Sequence, residues 1–301
     1  MTGTPAEPVS PSQFTYDPAG VLVNALPIRF SPDCGCNVAD DVLLQQIDTN
    51  IRRGLPQIHP HPPNDLMAII VCGGPSLPAM EKQIVADQWA GGKVVAVNGA
   101  YQWCLDRNIM PAAAVMIDAR ESNARFFAEP LDLCKYFLAA QCHPSVFELC
   151  RGRDVWIWHL CSFEAELELL TRYYFGKDNF FPATIGSTVG VRAIQLMRML
   201  GFIRIKVYGM DACWLGDDHH AYRQPENDGE KRMPVWLVPR DRERHTSEMF
   251  TCSPWHVRQA KDFQLLVEKH GHELQLSVEG PGLIATMLRI GASIAEEEGA
   301  V

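Results

Sequence analysis

Short apolar runs and stretches of helical periodicity alternate along the chain from residue 67 to about residue 210. This alternation is typical of a parallel sheet that is covered by helices on both faces. The predicted strands are residues 67–72, 93–97, 112–117, 135–140, 154–158 and 203–208. The predicted helices lie near residues 76–89, 99–107, 121–128, 143–150, 164–173 and 187–200. The sequence therefore predicts an α/β fold.

The regions on either side of this alternating part have their own patterns. Asp40 and Asp41 lead an amphipathic pattern that runs to Ile51, which predicts an N-capped helix before a proline-rich linker. The elements predicted after the alternating part are a polar insert at 211–232, hairpin strands at 233–239 and 247–251 around the charged turn 241–244, a helix at 254–269, a strand at 273–278 and a helix at 281–290. The predicted segments are an N-terminal extension at 1–64 with a loose start over 1–20, an α/β domain at 65–290 with its hairpin region at 233–251, and an acidic tail at 291–301.

Composition narrows the class of protein. The 301 residues are 47% hydrophobic, as in chains with a packed core, and the formal net charge of −9 argues against a broad nucleic-acid-binding face. No apolar run approaches the roughly 20 residues that cross a bilayer, and the N-terminus lacks the features of a signal peptide. The ten cysteines include no Cys-x-x-Cys pair. We therefore expect a cytoplasmic protein without a membrane partner, and the sequence leaves an oligomer open.

A glycine loop follows the first strand of the alternating part. The β-branched run ending at Val71 leads into Cys72-Gly73-Gly74-Pro75-Ser76-Leu77. The glycines permit a sharp turn, the proline favours a first helical turn, and the serine places a hydroxyl at the helix start. Because helix N-termini attract anions, the Gly73–Ser76 turn is predicted to contact a phosphate or nucleotide, although glycine pairs also serve packing alone. A Gly74→Val substitution is expected to abolish nucleotide binding and leave the fold intact.

Neither GxxxxGK[ST] nor GxGxxG is present, which argues against P-loop NTPases and dehydrogenases.

Small or polar residues also follow the other predicted strands. Ligands of open α/β sheets bind beyond the carboxyl ends of the strands, so these positions are candidate contacts. They are Asn98, Asp118, Gln141, Gly209 and Asp211. Asn98 and Gly209 are predicted to contact the nucleotide. Asp118 and Arg120 place a metal-binding carboxylate beside a phosphate-binding guanidinium, and the alternative is a capping aspartate with a surface arginine.

A second glycine turn, at residues 185–190, opens the helix predicted at 187–200. Gly186 precedes Ser187 and Thr188, which are good cap residues with hydroxyls free to bind an anion. All three are predicted to contact the nucleotide. The alternative is a plain N-cap, with Gly190 allowing close helix packing.

The polar insert supplies the third candidate site. Asp211 is followed by Asp217, Asp218, His219 and His220 within ten residues. Carboxylates and imidazoles in such a cluster can bind Mg²⁺ or supply a general base, although histidine pairs in loops are often only solvated. We expect His219 or His220 to be the base, oriented by Asp217 or Asp218. Asp211 is expected to be catalytic and, with Asp118, to hold Mg²⁺.

Taken in order, these motifs resemble the archaeal 6-hydroxymethylpterin diphosphokinase (MptE-like) family. The motifs are the GGPSL loop, the strand-end Asn98 and Asp118, the GSTVG turn and the LGFxxIxxxGMD…HHA segment. Flagellar motility accessory factors share this glycosyltransferase-like domain, and bacterial CMP-dependent sialyltransferases resemble it in the Gly-Pro-Ser loop and strand-end Asn. Variants with an N-terminal extension are similar to proteins encoded by bacteriophages. The resemblance covers about residues 65–225.

The resemblance implies a Rossmann-like, mostly parallel sheet that binds a nucleotide at Gly73–Ser76. It implies a transferase, most like a Mg²⁺-assisted diphosphokinase that moves a diphosphate from ATP to a hydroxymethyl acceptor such as a pterin. One alternative is a glycosyltransferase that uses a nucleotide sugar, and another is a nucleotide-binding module without turnover. The expected partners are a small-molecule nucleotide and a hydroxyl-bearing acceptor. The chain lacks the flanking domains of the longer motility factors, which argues against flagellin glycosylation.

Overall fold

The computed structural model describes residues 12–16, 22–24, 38–227, 229–239 and 247–297. The strands within them are β1 (Ser12–Tyr16), β2 (Leu22–Asn24), β3 (Asn64–Val71), β4 (Lys93–Val97), β5 (Ala113–Met116), β6 (Lys135–Ala139), β7 (Asp154–Trp158), β8 (Phe202–Tyr208), β9 (Met233–Pro239), β10 (Glu248–Cys252) and β11 (Gln275–Glu279). The α-helices are α1 (Asp40–Ile51), α2 (Leu77–Trp89), α3 (Ala100–Leu105), α4 (Pro144–Leu149), α5 (Glu164–Tyr173), α6 (Val189–Met199), α7 (Pro254–His270) and α8 (Leu283–Glu297).

Seven of the strands form one parallel sheet in the spatial order β11-β8-β3-β4-β5-β6-β7. The predicted α/β fold, with helices around a mostly parallel sheet, is confirmed. The strands are buried on both faces: the last four residues of β3 and of β4 and all of β5 are buried. Apolar strands of this kind need a helical layer on each side. Helix α6 is almost wholly buried against the centre of the sheet.

The order of the strands reverses at β3. The chain passes from β3 to its neighbour β4 on one side, whereas β8 pairs with the other edge of β3. Such a topological switch opens a crevice at the carboxyl ends of the two diverging halves, which is where ligands of open α/β sheets bind.

A second, smaller sheet lies outside the parallel one. Strands β9 and β10 pair antiparallel, as the predicted hairpin requires, and the charged turn at 241–244 lies outside the described residues. Strand β1 pairs parallel with β9 and antiparallel with β2. Strand β1 lies within residues 1–20, which the sequence predicts to be loose. No helix among the described residues is long and apolar enough to cross a bilayer.

Three local predictions differ from the structure. The predicted N-cap of α1 is wrong, because Asp40 and Asp41 lie in the first helical turn behind the N-cap residue Ala39, where acidic side chains favour the positive end of the helix dipole. Residues 121–127 form a 3₁₀-helix in place of the predicted α-helix. Helix α8 continues to Glu297, through most of the predicted acidic tail, and residues 298–301 lie outside the described part.

Helix α1 packs into the same core as the sheet. Its buried face carries Leu43, Ile47 and Ile51, and the last two belong to the hydrophobic cluster around the strands. The boundary predicted at residue 64 stays a prediction, but the packing of α1 places this helix in the body of the α/β unit.

Candidate functional site

A cavity of about 260 Å³, which we call the strand-end cavity, opens at the carboxyl ends of the central strands. Its walls come from the turns after β3, β4, β5 and β6, from the turn before α6, from the insert after β8 and from the start of α7. Eleven of the fourteen predicted site residues line it, and Ser76, Arg120 and Gly186 do not. The eleven are Gly73, Gly74, Pro75, Asn98, Asp118, Ser187, Thr188, Gly209, Asp211, His219 and His220.

The glycines of the Gly73–Ser76 turn are required by protein contacts. A Cβ atom on Gly73 would overlap the hydroxyl of Tyr222, and one on Gly74 would lie 2.5 Å from the carbonyl oxygen of Gly209 and overlap Asp211. Both glycines therefore allow the insert and the end of β8 to approach β3 closely. The expectation that Gly74→Val leaves the fold intact is wrong, since the larger side chain would displace backbone.

Ser76 and Asp211 bind each other across the switch point. The carboxylate of Asp211 accepts the backbone N–H of Ser76 at 2.8 Å and its hydroxyl at 2.6 Å. Asp211 is only 2% exposed, and this burial raises the pKa of its carboxyl group, against the effect of the two hydrogen bonds. The hydroxyl predicted to meet a phosphate is thus directed to a protein carboxylate, and this pair joins the end of β8 to the start of α2.

Asn98 presents an unpartnered polar atom. Its backbone is in the left-handed region, with a φ of 46°, a conformation that asparagine tolerates better than most residues. Its side-chain oxygen is buried and has no hydrogen-bond partner among the described residues. Buried acceptors are nearly always satisfied, so this atom in the wall of the cavity is suited to a donor from a ligand.

Asp118 and Arg120 form an ion pair at the end of β5. The Asp118 carboxylate accepts the backbone N–H of Arg120 at 3.0 Å and its guanidinium at 2.6 Å. Both side chains are about one-fifth exposed. The predicted proximity of carboxylate and guanidinium is present, and the two groups bind each other.

The turn before α6 is held from two sides. The hydroxyl of Ser187 donates to Asp262 at 2.5 Å, and the hydroxyl of Thr188 accepts from Gln259 at 3.2 Å, so the expectation of free hydroxyls is wrong for Ser187. Behind the turn, the buried guanidinium of Arg192 donates to the carbonyl of Gly186 at 2.5 Å. Burial lowers the pKa of Arg192 to about 10, so this side chain remains a cation at neutral pH.

The two histidines of the insert contact each other in the cavity wall. Nδ1 of His219 lies 2.6 Å from Nδ1 of His220, and His219 is 7% exposed. A bond between these two nitrogens uses one proton, which one ring donates and the other accepts. Asp217, one of the two carboxylates predicted to orient the pair, lies exposed against Arg232 at 3.0 Å. The role predicted for Asp218, which is also exposed, stays a prediction.

The start of α7 adds cavity residues that the sequence analysis missed. Trp255, His256 and Gln259 line the cavity. Nδ1 of His256 accepts the backbone N–H of Ser253 at 2.9 Å, which completes a capping box. Burial lowers the pKa of His256 to about 3, helped by His219 and His220, so the ring is neutral and its other nitrogen carries the proton. The Ser-Pro start of α7 predicts only a helix N-terminus, so no sequence signal marks this ring as a site residue.

Helix α1 supports the turns after β5 and β6. The side-chain amide of Asn50, which is fully buried, donates to the carbonyls of Ala140 at 2.9 Å and Cys142 at 2.7 Å. The amide of Gln46 donates to the carbonyl of Ala119 at 3.2 Å. These bonds fix the backbone on either side of Gln141 and next to Asp118.

The carboxylates fit the predicted Mg²⁺ unequally. Asp211 is a poor ligand, because it is buried and both of its oxygens accept hydrogen bonds from Ser76. Asp118 keeps a partly exposed face at the cavity. No group of three or more His, Cys, Asp or Glu in the described ranges is placed to hold a metal ion. A site of this kind would depend on Asp118, water and the phosphates of a bound nucleotide.

Comparison with one solved structure agrees with this architecture. The MAf glycosyltransferase from Magnetospirillum magneticum AMB-1 is similar in fold, with a TM-score of 0.58 at 14% identity, over 87% of this chain and 42% of that chain. A mammalian sialyltransferase, solved with Gal-beta-1-3GalNAc-ortho-nitrophenol, gives a TM-score of 0.40 at 12% identity, over 81% of this chain and 87% of that one. No curated protein matches the sequence significantly. Residues 41–217, more than half of the chain, match the model of one family, and the protein therefore belongs to the 6-hydroxymethylpterin diphosphokinase MptE-like family.

Proposed function

We propose that the protein is a nucleotide-dependent transferase, which passes a group from a nucleotide in the strand-end cavity to a hydroxyl of a second substrate. One observation carries the proposal: the unpartnered oxygen of Asn98 and the His219–His220 pair line the same cavity at the topological switch of the sheet. Membership of a family described by a diphosphokinase supports it.

The nucleotide would lie across the ends of β3 and β4 and the turn before α6. The oxygen of Asn98 would accept a hydrogen bond from a ribose hydroxyl or a base amino group. The N–H groups at the start of α6, next to Thr188, would face the phosphates, since a helix N-terminus favours negative charge. The guanidinium of Arg120 does not line the cavity and is paired with Asp118 at 2.6 Å, so the two groups add no net charge at this end of the cavity.

The histidine pair would supply the base. If both rings are neutral, the ring that donates through Nδ1 has an unprotonated Nε2, which can take a proton from an acceptor hydroxyl. The ring that accepts at Nδ1 carries its proton on Nε2 and can act only as a donor there. The contact between the two rings thus leaves one of them with a basic Nε2.

Two donor classes remain as candidates, each favoured by one observation. Family membership favours ATP as the donor of a diphosphate, with Mg²⁺ to neutralise the charge of its phosphates. The engagement of Asp118 and Asp211 by protein donors favours a nucleotide sugar, whose transfer can proceed without a metal. Undiminished turnover in EDTA would contradict the diphosphokinase and support sugar transfer.

The nucleotide site can be tested with a matched pair of substitutions. Asn98→Gly removes the amide and keeps a residue that tolerates positive φ, so the turn is expected to persist. Asn108→Gly makes the same change at the exposed Asn108, whose φ is 56°, outside the cavity. The first variant is expected to bind nucleotide about tenfold more weakly, the typical loss for one hydrogen bond, and the second to bind normally.

The measurement is a thermal-shift panel of ATP, GTP, CTP, CMP-sugars and UDP-sugars, each with and without Mg²⁺, because a bound ligand raises the melting temperature. Failure of every nucleotide to shift the wild-type protein would refute the proposal. With the donor found, His219→Gln and His220→Gln are assayed separately, and loss of the base is expected to slow turnover about 10²–10⁴-fold at nearly unchanged donor affinity. If the wild type shows no turnover and the histidine variants lose only nucleotide affinity, the protein is a nucleotide-binding module.

A further inference from the structure

A second cavity, of about 410 Å³, opens at the opposite edge of the sheet. It lies at the amino ends of β4, β5 and β6, beneath the end of α6 and the chain segment around Ile58. Since β4 has five residues and a strand rises about 3.3 Å per residue, roughly 13 Å of sheet separate this amino-end cavity from the strand-end cavity. The proposed transfer site has no part in it.

Small side chains at the start of β5 create the space. Val95, Ala113 and Lys135 are in register on neighbouring strands, and their side chains share one face of the sheet. Ala113 is short beside these neighbours, and α6 ends at Met199, before it can cover the whole row. The floor and walls are therefore apolar, and they include Val95, Ala113, Phe137, Trp156, Met197 and Phe202.

Cationic and imidazole side chains stand at the mouth of this apolar cavity. Lys93 and Lys135 begin β4 and β6, and His59 and His61 come from the linker. Lys135 pairs with Asp154 at 2.5 Å, which compensates its charge. Lys93 is exposed and has no ion pair among the described residues.

An apolar interior with an uncompensated cation at its mouth is complementary to a hydrocarbon chain with one anionic end. Nucleotides and sugars are excluded, because they would leave polar groups unsatisfied against the apolar walls. A volume of about 410 Å³ lies within the range of small-molecule sites. We propose that the amino-end cavity binds a medium-chain fatty acid, with its acyl chain on Ala113 and Phe137 and its carboxylate at Lys93.

The test compares decanoate with decanol, which has the same chain and no charge, by calorimetric titration of the full chain. Decanoate is expected to bind several-fold more tightly than decanol, as an exposed ion pair allows. Lys93→Glu is expected to weaken decanoate about tenfold and to leave decanol nearly unchanged. Lys82→Glu, the same charge reversal at an exposed residue of α2 outside the cavity, should leave both affinities as in the wild type.

Filling the amino-end cavity with a larger side chain tests where the acyl chain of the ligand lies. Ala113→Leu is expected to weaken both ligands at least tenfold, and Ala112→Leu, at the half-buried neighbouring position, serves if the first variant does not fold by circular dichroism. Absence of decanoate binding to the wild type would overturn the proposal. So would equal affinities for decanoate and decanol, or unchanged binding to a folded, cavity-filled variant.

Discussion

Mild acid is expected to destabilise the protein through two buried imidazoles. His159 packs beside Tyr174 and Phe180, and His256 packs beside Trp255 at the strand-end cavity. Burial lowers the pKa of each from 6.5 to about 3. In the unfolded chain both rings return to the ordinary value and take up protons that the folded protein excludes.

The sign and size follow from proton linkage. Between pH 6.5 and about pH 3 the unfolded state binds one more proton at each ring, so the free energy of unfolding falls as the pH falls. Each ring contributes about 1.4 kcal/mol per pH unit, or about 2 kcal/mol from pH 6.5 to about pH 5, and the two together about 4 kcal/mol. The free energy of unfolding of a typical domain is roughly 5–15 kcal/mol, so this contribution is a large part of it.

Two substitutions isolate this effect in urea unfolding at several pH values. His159→Phe keeps a ring among the aromatic neighbours and gives up only the contact of Nε2 with the Tyr174 hydroxyl, at 3.1 Å. His256→Gln keeps a residue that can complete the capping box. Each variant is expected to lose about half of the pH dependence that the two rings cause.

The comparison with the wild type is needed because two buried carboxyl groups act in the opposite direction. Burial raises the pKa of Glu166 and of Asp211, so the folded state takes up their protons first and gains stability as the pH falls. These contributions are common to wild type and variants and cancel in the difference. A difference that stays constant from pH 7 to pH 5 would refute the argument.

Two further substitutions test the packing around the site. Gly74→Ala is expected to destabilise the protein by about 1–3 kcal/mol in urea unfolding, because its Cβ would overlap Asp211, whereas Gly229→Ala meets nothing within 4 Å and serves as the control. A Gly74→Ala variant as stable as this control would contradict the packing argument. Asn50→Leu leaves two buried carbonyls without their donor and should cost about 2–4 kcal/mol, again from urea unfolding; an unchanged midpoint would mean that α1 does not hold the site turns.

The sequence predicts the sheet well and the site only in outline. Apolar strands such as Lys93–Val97 are recognisable because a buried parallel strand needs an unbroken apolar run, and the turns that follow them are set by the same local pattern. The bond between Ser76 and Asp211 joins residues 135 positions apart, and no local pattern contains it. His256 was missed for the same reason, since its role at the cavity depends on how α7 packs against the insert.

The contact of Tyr222 with Gly73 and Gly99 separates the site into two layers that can change independently. The sheet and its glycine turns form a fixed base, and the insert after β8 forms a removable cover, seated by Tyr222 and by the backbone bond from Ala221 to Gly73 at 2.9 Å. An engineer can therefore graft a different cover between β8 and β9 without redesigning any strand. Two conditions apply. The new segment has to keep Asp211, which accepts both hydrogen bonds from Ser76. It also has to supply a ring of the same size above the two glycines, because a smaller side chain would leave a void there.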